Sequence, residues 1–178
     1  MDRRGQNLQE VRAPVKTQSS QVKAILKRTL HEAGFVGNAS TWHKSLPETI
    51  LVVDLQKSQY GPQYYLNLGI WLKQLGQTQA PKEHQCHIRL RATSLPSEGA
   101  KLLERALDLE DMSMSAEQRE KVIVEYMQKE VLPFMGMAAT VEGAGTALSG
   151  GKLSRAMVHK KARELLVTKV DASQWRNN

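Results

Sequence analysis

Apolar residues recur every three or four positions through Val22, Ile25, Leu26, Leu30 and Ala33, while Lys23, Lys27, Arg28 and Glu32 fill the places between. That spacing predicts an amphipathic helix with one buried stripe. Ser20 is its expected N-cap, and Gly34 stands just past its end, where glycine tolerates a left-handed turn. From Thr41 the period shortens to two. Residues 41–44 predict a first strand and residues 49–57 a second, with Leu51, Val53 and Leu55 on one face and Asp54 and Gln56 on the other. The turn Ser58-Gln59-Tyr60-Gly61-Pro62 leads to a third strand over residues 64–72. There Leu66, Leu68, Ile70 and Leu72 alternate with Tyr65, Asn67, Gly69 and Trp71. A loop over residues 74–83 precedes a fourth strand at 84–92, in which Cys86, Ile88 and Leu90 alternate with His87, Arg89 and Arg91.

Beyond Pro96 the longer period returns. Ser97 is placed to cap a segment carrying Leu102, Leu103, Ala106 and Leu107 on one stripe. Ser115 and Gln118 have the spacing of a capping box for a helix through Val122, Ile123, Tyr126 and Met127. Pro133 is expected to kink or end that helix. Residues 143–151 are small and glycine-rich and read as a loop, followed by a basic helix over about residues 153–167. Four short strands joined by short connections favour an antiparallel meander. The expectation is an α+β fold: an antiparallel sheet of about four strands with helices packed on one face, and a helical C-terminal half. Residues 1–18 read as a flexible tail, 19–135 as the α+β domain, and 136–178 as a loop and basic helix packed on it or extending from it.

Charge is unevenly placed. Residues 1–20 carry four basic and two acidic groups, and residues 151–178 carry seven basic and two acidic groups. The remaining 14 acidic and 14 basic groups cancel over residues 21–150, so a neutral fold has basic ends. Lys152, Arg155, Lys160, Lys161 and Arg163 are the candidate nucleic-acid contacts of that C-terminal segment. No run reaches the roughly 18 apolar residues of a membrane span, and the polar N-terminus lacks the apolar stretch of a leader. The expected location is the cytoplasm, with no membrane partner. The single cysteine fits a reducing compartment.

Two motifs invite chemistry and fail on geometry. In the segment from Gly143 to Lys152, a phosphate-cradling loop needs glycine where Thr146 stands and a hydroxyl ligand where Leu153 follows Lys152. His84, Cys86 and His87 are crowded enough for a metal, yet strand alternation turns His87 away from the other two. The same divergence denies Cys86 a neighbouring base, so no catalytic residue, metal ligand or cofactor is assigned. The informative set is the second sheet face. Alternation collects Asp54, Gln56, Tyr65, Asn67, Trp71, His87, Arg89 and Arg91 there, the aromatic, amide and guanidinium groups that binding surfaces use.

Along the chain, Gly34-Phe35, Trp42, Leu55-Gln56-Lys57-Ser58-Gln59, Tyr65-Leu66-Asn67-Leu68-Gly69-Ile70 and Cys86-His87-Ile88-Arg89 follow in an order that resembles a bacterial family described as domain of unknown function 4304. The resemblance spans about residues 22–134 and implies the fold and a bacterial source, but no activity. Small bacterial domains without catalytic groups resemble, by analogy, the immunity partners of secreted toxins. The expected function is a non-enzymatic protein-binding module, most specifically an immunity protein that occludes a cognate toxin. The alternative is a nucleic-acid binder using the basic C-terminal helix and the Arg and aromatic sheet face.

Overall fold

The computed structural model describes residues 15–174. Its first helix, α1 (Val15–Glu32), begins ahead of the expected cap. The Ser20 hydroxyl donates back to the Lys16 carbonyl at 3.0 Å, so Ser20 lies within the helix and does not cap it. Residues 15–18 of the expected tail are therefore helical, and residues 1–14 lie outside the described residues. At the other end Gly34 has φ +82, and the backbone N–H of Phe35 returns to the Leu30 carbonyl at 2.9 Å. That left-handed glycine stop is the one the sequence implies.

Six strands follow instead of four: β1 (Val36–Asn38), β2 (Thr41–Ser45), β3 (Thr49–Lys57), β4 (Tyr64–Leu72), β5 (Ile88–Arg91) and β6 (Met157–Val158). They pair in sequence order, each antiparallel to the next. The two additional strands are three and two residues long, too short for any alternation to show. Register places Leu51 against Ile70, Val53 against Leu68 and Leu55 against Leu66, with Ile88 and Leu90 continuing those rows on β5. Trp42 extends them onto β2, opposite Val53. This aliphatic face is buried beneath the helices in one cluster that runs from Val22 to Leu166.

Helices α2 (Ala100–Leu107) and α3 (Ala116–Tyr126) pack together under the sheet. The capping box of α3 is present: Ser115 Oγ accepts from the Gln118 N–H, and the Gln118 side chain accepts from the Ser115 N–H. Pro133 does not end the helix. A wide turn at Met127–Val131 precedes it, and α4 (Leu132–Met137) continues directly. Proline removes one donor and crowds the carbonyl four residues back, and a wider turn at that point accommodates both.

Residues 143–151, expected as a loop, instead fall largely within α5 (Val141–Ser149). Thr140 caps it by accepting from the Gly143 N–H at 3.0 Å, and Glu48 accepts from the Val141 N–H at 2.7 Å. Glycine at 143 has a packing reason, since a Cβ there would collide with the Met137 carbonyl. The basic helix α6 (Lys160–Gln174) starts later than expected, because residues 151–156 form turns and β6 intervenes. Leu153, Ala162 and Leu166 join the main core, so this segment packs on the rest of the fold. Among the described residues no single helix is long and apolar enough to cross a membrane.

Candidate functional site

The second face of the sheet is built by the residues that alternate with the core. Across the strands, one row runs Asn38, Thr41, Asp54, Asn67 and Arg91, and the next runs Val36, His43, Val52, Gly69, Arg89 and Met157. Gln56 lies opposite Tyr65 at one end, and Ile50 opposite Trp71 at the other. The connection between β4 and β5, residues 73–87, divides this face in two by folding back across it.

On the covered half the connection is fastened at several points. The Pro81 carbonyl bonds His43 Nε2 at 2.9 Å, and the Trp71 indole N–H donates to the Gly76 carbonyl at 3.3 Å. Residues 83–85 form a 3-10 turn, so strand geometry begins only at Ile88. Alternation therefore does not extend to Cys86, which was expected on the aliphatic face with Ile88 and Leu90. It lies on the opposite face, fully buried with Ile50 and Val52 in a small separate cluster. Burial, with Glu83 adding to it, pushes its thiol up to about 12. His87 is also buried: its Nδ1 accepts from the Leu72 backbone N–H at 3.0 Å, and its ring lies 4.1 Å from that of Trp71. Its pKa is lowered, first by burial and then by the neighbouring His159. Trp71 and His87 are thus engaged with each other and with the connection.

The open half holds the other six residues of the expected set. Asp54 accepts from the Thr41 hydroxyl at 2.7 Å, and the Asn67 amide donates to Gln56 Oε1 at 2.9 Å. Arg89 reaches both carboxylate oxygens of Glu83, at 3.0 and 3.2 Å. Arg91 lies over the Tyr65 ring, 4.0 Å from its centre. Between these side chains lies a groove of two adjoining hollows. The first, about 350 Å³, is lined by Thr41, Asp54, Lys82 and His84. The second, about 280 Å³, has Arg91, Arg155 and Met157 on its far side. Gln56, Asn67, Glu83 and Arg89 line both.

Alternation against the buried Trp42 would have placed Thr41 on this face, although it was not singled out; it could not supply Glu83 or Arg155. Glu83 comes from the folded-back connection, and Arg155 from the turns before β6, distant in sequence. Arg155 had been grouped with the C-terminal basic residues; the fold carries it to the groove. Lys160, Lys161 and Arg163 are exposed in the first turn of α6, and Lys152 is exposed in the preceding turns. None of these four lines the groove.

The model of one protein family, described as a domain of unknown function (DUF4304), matches residues 26–136. No curated protein and no solved structure matches the chain.

Proposed function

The chain belongs to the DUF4304 family, and from that premise, which brings no activity with it, we propose that the protein is a non-enzymatic binding module whose protein partner docks on the open half of the second sheet face. The observation that carries this reading is the groove itself. Amide, carboxylate, guanidinium and aromatic groups from β2 to β5 line it, exposed or half-buried except for the buried Asn67 on its floor, and are held in place by one another. Donors and acceptors are spread over four strands and do not converge on one reacting position, as a protein surface would require and a small substrate would not. The titratable groups that face the groove support it too. Asp54 and Glu83 are already bonded within it, and the one nearby thiol is buried and strongly disposed to stay protonated.

The specific form of the proposal is an immunity protein that covers a toxin's active site. A photo-crosslinking residue at Gln56, with a control at the exposed Lys101 on α2, tests the docking face. Crosslinking of a protein from position 56 but not from 101 is the expected result. Equal capture from both positions would end the reading. If the captured protein is a toxin, co-expression should neutralise it, and a variant carrying Arg91→Glu should not.

A second reading, nucleic-acid binding, is favoured by one observation. Lys160, Lys161 and Arg163 crowd the N-terminal turn of α6, where cations oppose the helix dipole and a phosphate would relieve them. It predicts affinity that falls steeply with salt and depends on those three residues. We expect only micromolar or weaker, sequence-independent binding at physiological salt.

A further inference from the structure

We propose that the Arg91 end of the groove is a carboxylate-reading subsite, taking an Asp or Glu side chain from a mixed-charge peptide segment of the partner. The inference rests on the docking reading above and narrows it to the chemistry of one contact.

Three arginines, Arg89, Arg91 and Arg155, line a single hollow of about 280 Å³. Their situations differ. Arg89 is committed to Glu83 through two hydrogen bonds. Arg91 and Arg155 have no carboxylate partner among the described residues, and both are exposed. Like charges gathered in one hollow repel, and a bound anion removes that repulsion. Arg91 is also pre-positioned. Its guanidinium carbon is held 4.0 Å from the centre of the Tyr65 ring, and a guanidinium kept in place there has N–H groups to offer for the paired bonds a carboxylate accepts. Gln56 gives its Oε1 to Asn67 and keeps its own amide N–H groups as donors on the same wall. Met157, 57% exposed, offers an apolar surface for the methylene groups of an acidic side chain.

The other hollow decides between a peptide and a nucleic acid. It shares the Gln56, Asn67, Glu83 and Arg89 wall, but its remaining lining sets Asp54 beside Lys82, so acidic and basic residues balance there and no excess of positive charge remains. A phosphate backbone carries a charge at every step and would run a negative group against Asp54 and Glu83. A peptide places a carboxylate at one point and a neutral or basic residue at the next, as this groove demands.

A display library of random linear dodecapeptides, selected against the full-length protein, tests the subsite. Enriched peptides should carry Asp or Glu. A labelled selected peptide should lose about tenfold or more in affinity on joint Arg91→Ala and Arg155→Ala substitution, as expected for loss of charge-assisted bonds. Arg91→Lys should recover only part of it, because lysine keeps the charge and not the planar fork. Both arginines are exposed, and thermal melting of each variant checks that the fold is kept. Peptides without acidic residues, bound in a way that Asn67→Ala weakens but the arginine substitutions do not, would overturn the subsite and leave the docking face standing. Absence of any enriched peptide, or binding indifferent to every substitution on this face, would overturn both. Tighter, equally arginine-dependent binding of a single-stranded RNA dodecamer would overturn the peptide in favour of nucleic acid.

Discussion

The sulfur of Cys86 lies over Gly69, in the space a side chain on the central strand β4 would otherwise take. A Cβ on Gly69 would stand 2.7 Å from Sγ and 3.1 Å from the Cys86 Cβ, with Val52 Cβ at 3.4 Å. Gly69→Ala should therefore destabilise the fold by about 1–3 kcal/mol through overpacking. A urea titration of Gly69→Ala, Cys86→Ala and the pair closes the cycle. The expected sign is a double variant more stable than the sum of the single losses, and strict additivity would refute the contact.

Cys86 itself is a packing residue. Its sulfur is buried and, among the described residues, its hydrogen bond is to the Lys82 carbonyl at 3.6 Å. With a thiol held up at about 12, it should react with a disulfide reagent at pH 8 only as fast as the protein opens. Cys86→Ser should cost about 1–2 kcal/mol and leave partner binding unchanged. Rapid labelling of the native protein would contradict the burial described.

His87 makes stability depend on pH in a definite direction. Its Nδ1 accepts from the Leu72 N–H, so the ring must be unprotonated there, and burial with nearby His159 lowers its pKa. A histidine depressed in the folded state binds fewer protons than it does unfolded. Its contribution is then complete above the unfolded value, near 6.5, and declines as pH falls below that towards the folded one. Urea midpoints should drop for the wild type as pH falls from 7 through this range, and drop less in His87→Gln. Parallel pH profiles would show that the drop has another source.

How much of this was visible beforehand depends on length and on regularity. The bounds of β3 and β4 follow from nine-residue alternating runs, and the Ser115–Gln118 capping box from local chemistry. Strands of two or three residues offer no period to detect. The small residues of α5 resemble a loop because their reason is tertiary: Gly143 passes close to Met137, and Ala144 and Ala147 are buried. For the site, alternation placed Asp54, Gln56, Asn67 and Arg89 on one face correctly. It misplaced Cys86 because the 3-10 turn at Glu83–Gln85 breaks the pleat before β5. It also gave no warning that residues 73–87 would cover half of that face.

Arg119 on α3 is a charged residue buried in the fold, only 4% exposed. Its guanidinium donates to the carbonyls of Arg105, Ala106, Asp108 and Asp111, closing the C-terminal end of α2. The Arg105 and Asp108 carbonyls also accept from the Asp108 and Asp111 N–H groups, so Arg119→Met should take the side-chain donor chiefly from the Ala106 and Asp111 carbonyls and cost about 2–4 kcal/mol. Arg119→Lys should rescue little, since a single ammonium cannot reach four carbonyls spread along the chain. Chemical denaturation of both variants measures this, and a loss under about 0.5 kcal/mol, typical of surface changes, would refute the capping role.

Asn67 and Leu68 are consecutive on β4, and the pleat sends them to opposite faces with opposite consequences. Leu68 is fully buried between Val53 and Leu90 in the main core. Leu68→Ala should cost about 2–5 kcal/mol, the range for a cavity in a packed interior. Asn67 is 8% exposed on the groove floor, and its amide holds Gln56 in position. Asn67→Ala removes that hydrogen bond but leaves the aliphatic core untouched, so it should cost only about 1 kcal/mol of stability. Its effect on partner binding should be larger than its effect on folding, because Gln56 then swings free on the docking wall. Leu68→Ala should do the reverse, with binding retained at any temperature where the variant remains folded. The comparison needs only two melting curves and two binding isotherms. If Asn67→Ala binds the crosslinked partner as well as the wild type does, the groove floor is scaffolding and the partner docks elsewhere.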